Sequence, residues 1–207
     1  MIIKPSNTCA VVIVHGKSEY CIVEHIKSKM RLPIEIYGKK NGQKSIQIEA
    51  LPNILNNEVF RSKKSLQNKY PAIDFKKDFK IFTVMDIDDV HDNSVKTNYI
   101  DGKISNISNG WQKKFLYPIY FKENLEDVLK DAHIWYALTD NDKRSYIKVF
   151  PVEHNGEISY EDRKDIEEFE AKMEKSKKTN FDRLLKYCIS HAPKFKKIIN
   201  IIELFYQ

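Results

Sequence analysis

The residues with the clearest chemical potential are Asp86, Asp88 and Asp89, in the run Val84-Met85-Asp86-Ile87-Asp88-Asp89. Asp-x-Asp sets two carboxylates two residues apart, and in an extended chain such residues fall on one side. Carboxylates held together repel one another, and a hard divalent cation relieves that repulsion. Magnesium, with oxygen ligands and several retained waters, is the natural guest. A metal held there polarises a phosphoryl group and lowers the pKa of an attacking water. The plainer alternative is a solvated acidic loop that caps the next segment.

A second polar cluster is His15-Gly16-Lys17-Ser18-Glu19. Gly16 either lets a phosphate approach or makes the tight turn from strand to helix. Glu19 is either a further carboxylate arm or a favourable charge in a helix's first turn. Lys17 is a phosphate contact or an ordinary surface lysine, and Ser18 is a candidate helix cap. Farther along, Asn124-Leu125-Glu126-Asp127 offers Glu126, or the neighbouring Glu123, as a third acidic arm, against the alternative of a simple helix start. Near the C-terminus, Lys194, Lys196 and Lys197 surround Phe195, with Lys175, Lys177 and Lys178 upstream. This stretch either tracks a nucleic-acid backbone, with Phe195 stacking on bases, or forms a solvated helical face.

For the two polar clusters to meet, strands must carry them to one edge. Ala10–Val14 is a run of five apolar residues, mostly β-branched, which suits a strand buried on both faces of a parallel sheet. Tyr20, Val23, Ile26 and Met30 recur at helical spacing and predict a helix over 18–30. Residues 33–37 read as a second strand and 45–57 as a second helix, broken or bent at Pro52. Residues 58–76 are polar, and 79–85 form a third strand running directly into Asp86. Residues 90–112 read as a long surface loop, with turns at Asp101-Gly102 and Asn109-Gly110. A fourth strand at 115–120 precedes a helix over 124–131. Beyond residue 160, Ile166, Phe169 and Met173 mark a helix. Phe181, Leu184, Leu185 and Ile189 mark another, and Ile198, Ile199, Ile202 and Phe205 a last one. Strand, helix, strand, helix, strand predicts an α/β fold with a Rossmann-like, mainly parallel sheet flanked by helices. The expected division is an α/β domain over 1–150 and a helical extension over 151–207 packed on it. In such sheets ligands bind at the carboxyl ends of strands, where strand order reverses, so adjacent first and third strands would make the two polar turns face each other.

Composition sets the outer bounds. The chain has 207 residues, 42% hydrophobic and 31% charged, which is the profile of a globular protein with a full core. No apolar run approaches the roughly 20 residues needed to cross a bilayer, and the N-terminus lacks the layout of a signal peptide, so no membrane and a cytoplasmic location are expected. The three cysteines have no CxxC spacing and read as reduced thiols rather than a zinc site or disulfide framework. A net charge of +6 makes nucleic acid a plausible partner.

The paired motifs resemble the Toprim domain, found in primases, topoisomerases, OLD-type nucleases and small phage-defence proteins. Val11–Glu19 looks like the first Toprim motif in its OLD-type version, where a second glutamate follows the glycine, and Val84–Asp89 looks like the second. The likeness spans roughly residues 8–130, and several Toprim-like defence proteins carry an acidic motif like the one containing Glu126. It implies a metal-dependent nuclease in antiviral defence, with Glu19, Asp86, Asp88, Asp89 and Glu126 around Mg2+ or Mn2+. One position departs from the pattern: His15 stands where the family has a glutamate that serves as metal ligand or general base. Histidine is a base near neutral pH and ligates transition metals, but it brings no negative charge. It therefore shifts the preference toward manganese or zinc, or marks a weakened or inactive site; the plainer alternative is a turn residue that satisfies nearby backbone groups. Asp86, Asp88, Glu19 and His15 form the expected catalytic set, and Lys17, Lys194, Lys196 and Lys197 the expected nucleic-acid contacts. The sequence has no GxxxxGK[ST] loop, so an ATPase or sensor partner would be a separate chain, and a homo-oligomer is compatible. Two other functions fit parts of the pattern. One is a TIR-like nucleotide-binding or NAD-cleaving module, and the other a non-catalytic Toprim-like binding protein.

Overall fold

The computed structural model describes residues 7–104, 107, 110–134 and 160–192, with backbone alone for 160–163. Four strands form one all-parallel sheet in the order β2-β1-β3-β4: β1 Ala10–Val14, β2 Ile34–Tyr37, β3 Lys80–Asp86 and β4 Leu116–Phe121. Seven helices are described: α1 Lys17–Met30, α2 Leu51–Leu55, α3 Lys63–Lys69, α4 Asn93–Ile100, α5 Leu125–Asp131, α6 Tyr160–Lys175 and α7 Asp182–His191. The fold is the expected α/β architecture, and the first and third strands are neighbours, in register from Ala10–Lys80 to Val14–Val84.

Every residue of β1 is completely buried, because alternate side chains serve two different cores. Ala10, Val12 and Val14 face α1, α5, α6 and α7, together with Phe82, Val84 and Phe121. Val11 and Ile13 face the opposite layer with Ile81 and Met85, covered by the segment from Ile46 through α2, by α3 and by Tyr99 of α4. This is why the β1 sequence shows no polar alternation. Ile166, Phe169 and Met173 of α6 and Leu184, Leu185 and Cys188 of α7 join the same core as α1.

The segment after α6 closes the free edge of β4. Tyr120 N–H donates to Asn180 Oδ1 at 2.9 Å, and Asn180 Nδ2 donates to the Pro118 carbonyl at 3.1 Å. Thr179 Oγ1 donates to the Tyr120 carbonyl at 2.7 Å. An edge strand otherwise offers a row of unpaired backbone groups to other chains.

Several expected elements are rebuilt. The predicted helix over 45–57 is a short 3-10 turn, Ile48–Ala50, followed by α2. Pro52 does not break it but sits in its first turn, where its missing N–H is not needed. The polar segment 58–76 contains α3, capped by Ser62, whose hydroxyl accepts from Ser65 N–H at 3.0 Å. The stretch 90–112 is not one surface loop: Asp92 caps α4, and that helix buries Tyr99. The turn at Asp101-Gly102 is present, whereas Asn109 and the predicted helix around Ile198–Phe205 lie outside the described residues, as do Lys194, Lys196 and Lys197. All three cysteines are free thiols. No helix among the described residues is long and apolar enough to cross a membrane.

Candidate metal centre

The carboxyl ends of β1 and β3 lie side by side, so the turn after Val14 and the acidic run from Asp86 share one edge of the sheet. His15 N–H extends the pairing by donating to the Val84 carbonyl at 2.8 Å. Gly16 begins α1 as its N-cap. A Cβ there would meet Glu19 Oε2 at 3.3 Å and Ser45 Oγ at 3.8 Å, so the glycine provides room rather than an unusual dihedral. Glu19 folds back so that Oε2 accepts Gly16 N–H at 2.9 Å, one half of a capping box. The helix-start role and the site role thus fall on the same side chain, since Glu19 is 2% exposed and lies within electrostatic reach of Asp86.

Asp86 ends β3 opposite Phe121, and the following Ile87 N–H bonds the Phe121 carbonyl at 2.9 Å. Its Oδ1 is buried and has no hydrogen-bond partner. Burial, and then the negative charges of Glu19, Asp88, Glu126 and Asp89, push the Asp86 carboxyl up to about 9. Glu19 is also raised, mainly by burial. His15 and the backbone N–H groups of Glu19 and Gly16 oppose that rise, and Glu126 adds to it. Asp88 and Asp89 are exposed, and Asp89 N–H bonds Asp88 Oδ1 at 2.9 Å.

Glu126 enters from the start of α5, beyond β4. Ser18 does not cap α1; its hydroxyl donates to Glu126 Oε1 at 3.2 Å and ties the first turn of α1 to α5. Glu123 is otherwise engaged, in a 2.6 Å ion pair with Lys178. His15 is buried and turns Nδ1 to the Ile46 carbonyl at 3.0 Å. A carbonyl only accepts, so Nδ1 carries a proton, and in the neutral form of the ring the lone pair lies on Nε2. Lys17 is exposed.

The structure therefore gathers His15, Glu19, Asp86, Asp88, Asp89 and Glu126 at one edge. The residues missed in the sequence are Ser18 in its linking role, Ile46 through its carbonyl, and Tyr99, whose hydroxyl lies 2.7 Å from both the Thr83 carbonyl and Thr83 Oγ1, under the end of β3. Asp92 followed by Val95 and Tyr99 at helical spacing was the available signal for Tyr99.

The donor types suit a hard divalent cation: carboxylate oxygens dominate, and one of them is buried without a partner. The set is spread, however. Among the described residues, the carboxylates whose ligand atoms all lie within 4.8 Å of one another are Glu170, Glu174 and Asp182. There Lys186 Nζ stands 2.6 Å from Glu174, 3.4 Å from Asp182 and 3.5 Å from Glu170, so an ammonium already sits against all three. Compared with protein-family models, with curated proteins and with solved structures, this chain matches none.

Proposed function

We propose that this chain is a divalent-metal-dependent nuclease, hydrolysing phosphodiester bonds of DNA or RNA, with its cation held at the carboxyl ends of β1 and β3. The observation that carries the proposal is Asp86 Oδ1, buried and unpartnered beside the buried carboxylate of Glu19. A cation bound there supplies charge neutralisation at the phosphoryl group and an acidified water. Asp86 and Asp88 furnish the principal ligand oxygens, with Asp89 and Glu126 flanking them. Glu19 is held by Gly16 N–H through Oε2 and offers its other oxygen. His15, held through Nδ1, takes up a proton at Nε2 as general base. The Toprim-like order of the motifs and the net charge of +6 favour a nucleic-acid substrate, and the same resemblance favours antiviral defence in the cytoplasm, with any ATPase or sensor on a separate chain.

The test combines cleavage of plasmid DNA and total tRNA with thermal melting, each in magnesium, manganese or zinc. The wild type is compared with the double variant Asp86→Asn, Asp88→Asn. Expected are metal-dependent cleavage and a metal-dependent rise in Tm, both lost in the double variant. A Tm rise without cleavage under any metal overturns the hydrolase and leaves a Toprim-like binding protein. Neither effect overturns the metal centre as well.

A further inference from the structure

The residues between β2 and the Ile48–Ala50 turn form a lysine-bearing loop that is locked onto the metal-centre turn. Ile46 N–H donates to the His15 carbonyl at 2.8 Å, and the Ile46 carbonyl accepts from His15 Nδ1 at 3.0 Å. Gly42, at φ +81°, is pressed so closely on the turn that a Cβ there would lie 2.7 Å from the Gly16 carbonyl oxygen. The loop is also braced from within. Asn41 N–H bonds the Gly38 carbonyl at 3.2 Å, Gln43 N–H that of Lys40 at 3.1 Å, and Lys44 N–H that of Lys39 at 3.2 Å. Lys40 and Asn41 join Gly42 in left-handed backbone, at φ 49° and 54°. Lys39, Lys40, Gln43 and Lys44 are exposed, and so is Lys17 on the turn that the loop grips.

Strand order gives this edge an electrical polarity. Across it run the loop after β2, the turn after β1, the Asp86 run after β3 and the acidic start of α5 after β4. Lys39, Lys40 and Lys44 therefore lie on the β2 side, and Asp86, Asp88, Asp89 and Glu126 on the β3 and β4 side, where Lys122 is the exposed cation directly after β4. A lone small anion needs one or two donors. Four lysines spread along a braced loop and the adjoining turn suit a chain of phosphates instead.

We infer that the loop from Gly38 to Ile46 is the positioning element for a single-stranded phosphodiester chain, holding the phosphates that flank the one presented to the metal centre. The assignment rests on the proposed function for what happens to the strand, but strand binding by the loop requires no metal. Lys39, Lys40 and Lys44 are positioning residues, and the Ile46 carbonyl couples the loop to the histidine that faces the substrate.

The test is fluorescence anisotropy of labelled single-stranded DNA and RNA of the same sequence, in EDTA, over a series of salt concentrations. The full chain is compared with Lys39→Glu, Lys40→Glu, Lys44→Glu and with a charge-matched control, Lys64→Glu, Lys69→Glu, Lys76→Glu. The control lysines are also exposed, on α3 and ahead of β3. The loop variant is expected to bind at least about tenfold more weakly, with the slope of log K against log salt reduced by about 2, at about 0.7 per phosphate contact. The control is expected to keep the wild-type slope, and unchanged melting of both variants would show that neither is unfolded. Equal weakening in the two variants, or no binding by the wild type at low salt, overturns the assignment. The DNA and RNA arms identify which polymer is preferred. Because EDTA removes cleavage, loop-dependent binding with no metal-dependent activity overturns the nuclease alone, and activity without loop-dependent binding overturns the loop alone.

Discussion

Asp86 carries an unfavourable balance at neutral pH, and this makes its role measurable without a substrate. Its carboxyl is pushed from 3.8 to about 9 by burial and neighbouring carboxylates. A carboxyl raised on folding contributes stability that is complete below its unfolded value and lost as pH rises toward its folded value, because the unfolded chain ionises first. Within that window the loss is up to about 1.4 kcal/mol per pH unit. Asp86→Asn removes the titration, so in chelator the variant is expected to melt above the wild type, by a margin that widens from pH 5 to pH 8. Urea unfolding across that range checks it, and a margin that is constant or shrinks with pH would show that Asp86 is not held protonated. Added manganese is expected to reverse the ranking by stabilising only the wild type. At this scale much of the site was legible: Asp86, Asp88 and Glu19 stand out because acidic residues following buried strands need a reason. The grip on His15 was not, since it comes from the backbone carbonyl of Ile46, thirty-one residues away, and a carbonyl has no sequence signature.

At the scale of elements, the loop over the His15–Glu19 turn depends on Gly42 for two separable reasons. Its φ of +81° is costly for any residue with a side chain, and a Cβ would also strike the Gly16 carbonyl and lie 2.8 Å from Tyr20 Cβ. Gly102 shares the same φ but has nothing within 4 Å of a built Cβ. Gly102→Ala is thus expected to cost only the backbone term, about 1 kcal/mol, and Gly42→Ala to exceed it, by about 1–3 kcal/mol, through undocking of the loop. Chemical denaturation of the two variants checks the difference, and equal losses would mean that the loop is not seated on the turn. Legibility divides along element length here. Strands β1 and β3 and helices α1 and α5 were readable because continuous apolar runs or a sustained helical period leave few alternatives. Helices α3 and α4 have seven and eight residues, mostly polar, and their buried anchors Leu66 and Tyr99 are single residues. Such segments become helical because tertiary burial overrides weak local preference, and that is written in the distant residues they cover.

At the scale of the whole molecule, the question is whether α6 and α7 stand apart from the sheet. The sequence places them in an extension packed on the α/β domain, and the side chains of α6 and α7 share a core with α1 and the strands. Phe181 is completely buried, with its ring 5.4 Å from that of Phe121 at the end of β4 and 6.3 Å from that of Phe169 in α6. Tyr187 of α7 places its hydroxyl 2.9 Å from the Cys9 carbonyl just ahead of β1 and 2.8 Å from that of Asp78 just ahead of β3. Lys29 of α1, with its side chain 1% exposed, pairs with Asp165 of α6 at 2.9 Å. Elements tied at both ends of the sheet and through its core should unfold with it. Trp111 provides a reporter on the other layer, where it packs with Phe75 and Phe115 and its indole N–H bonds the Phe60 carbonyl at 3.1 Å. In a Trp135→Phe background, which leaves Trp111 as the single indole, Phe181→Ala is expected to cost about 3–5 kcal/mol. Circular dichroism and Trp111 fluorescence should then move to the same lower midpoint. An early loss of helix with the Trp111 transition unmoved would instead divide the chain at the expected boundary, and the centre at the ends of β1 and β3 would belong to an α/β unit that holds without its last helices.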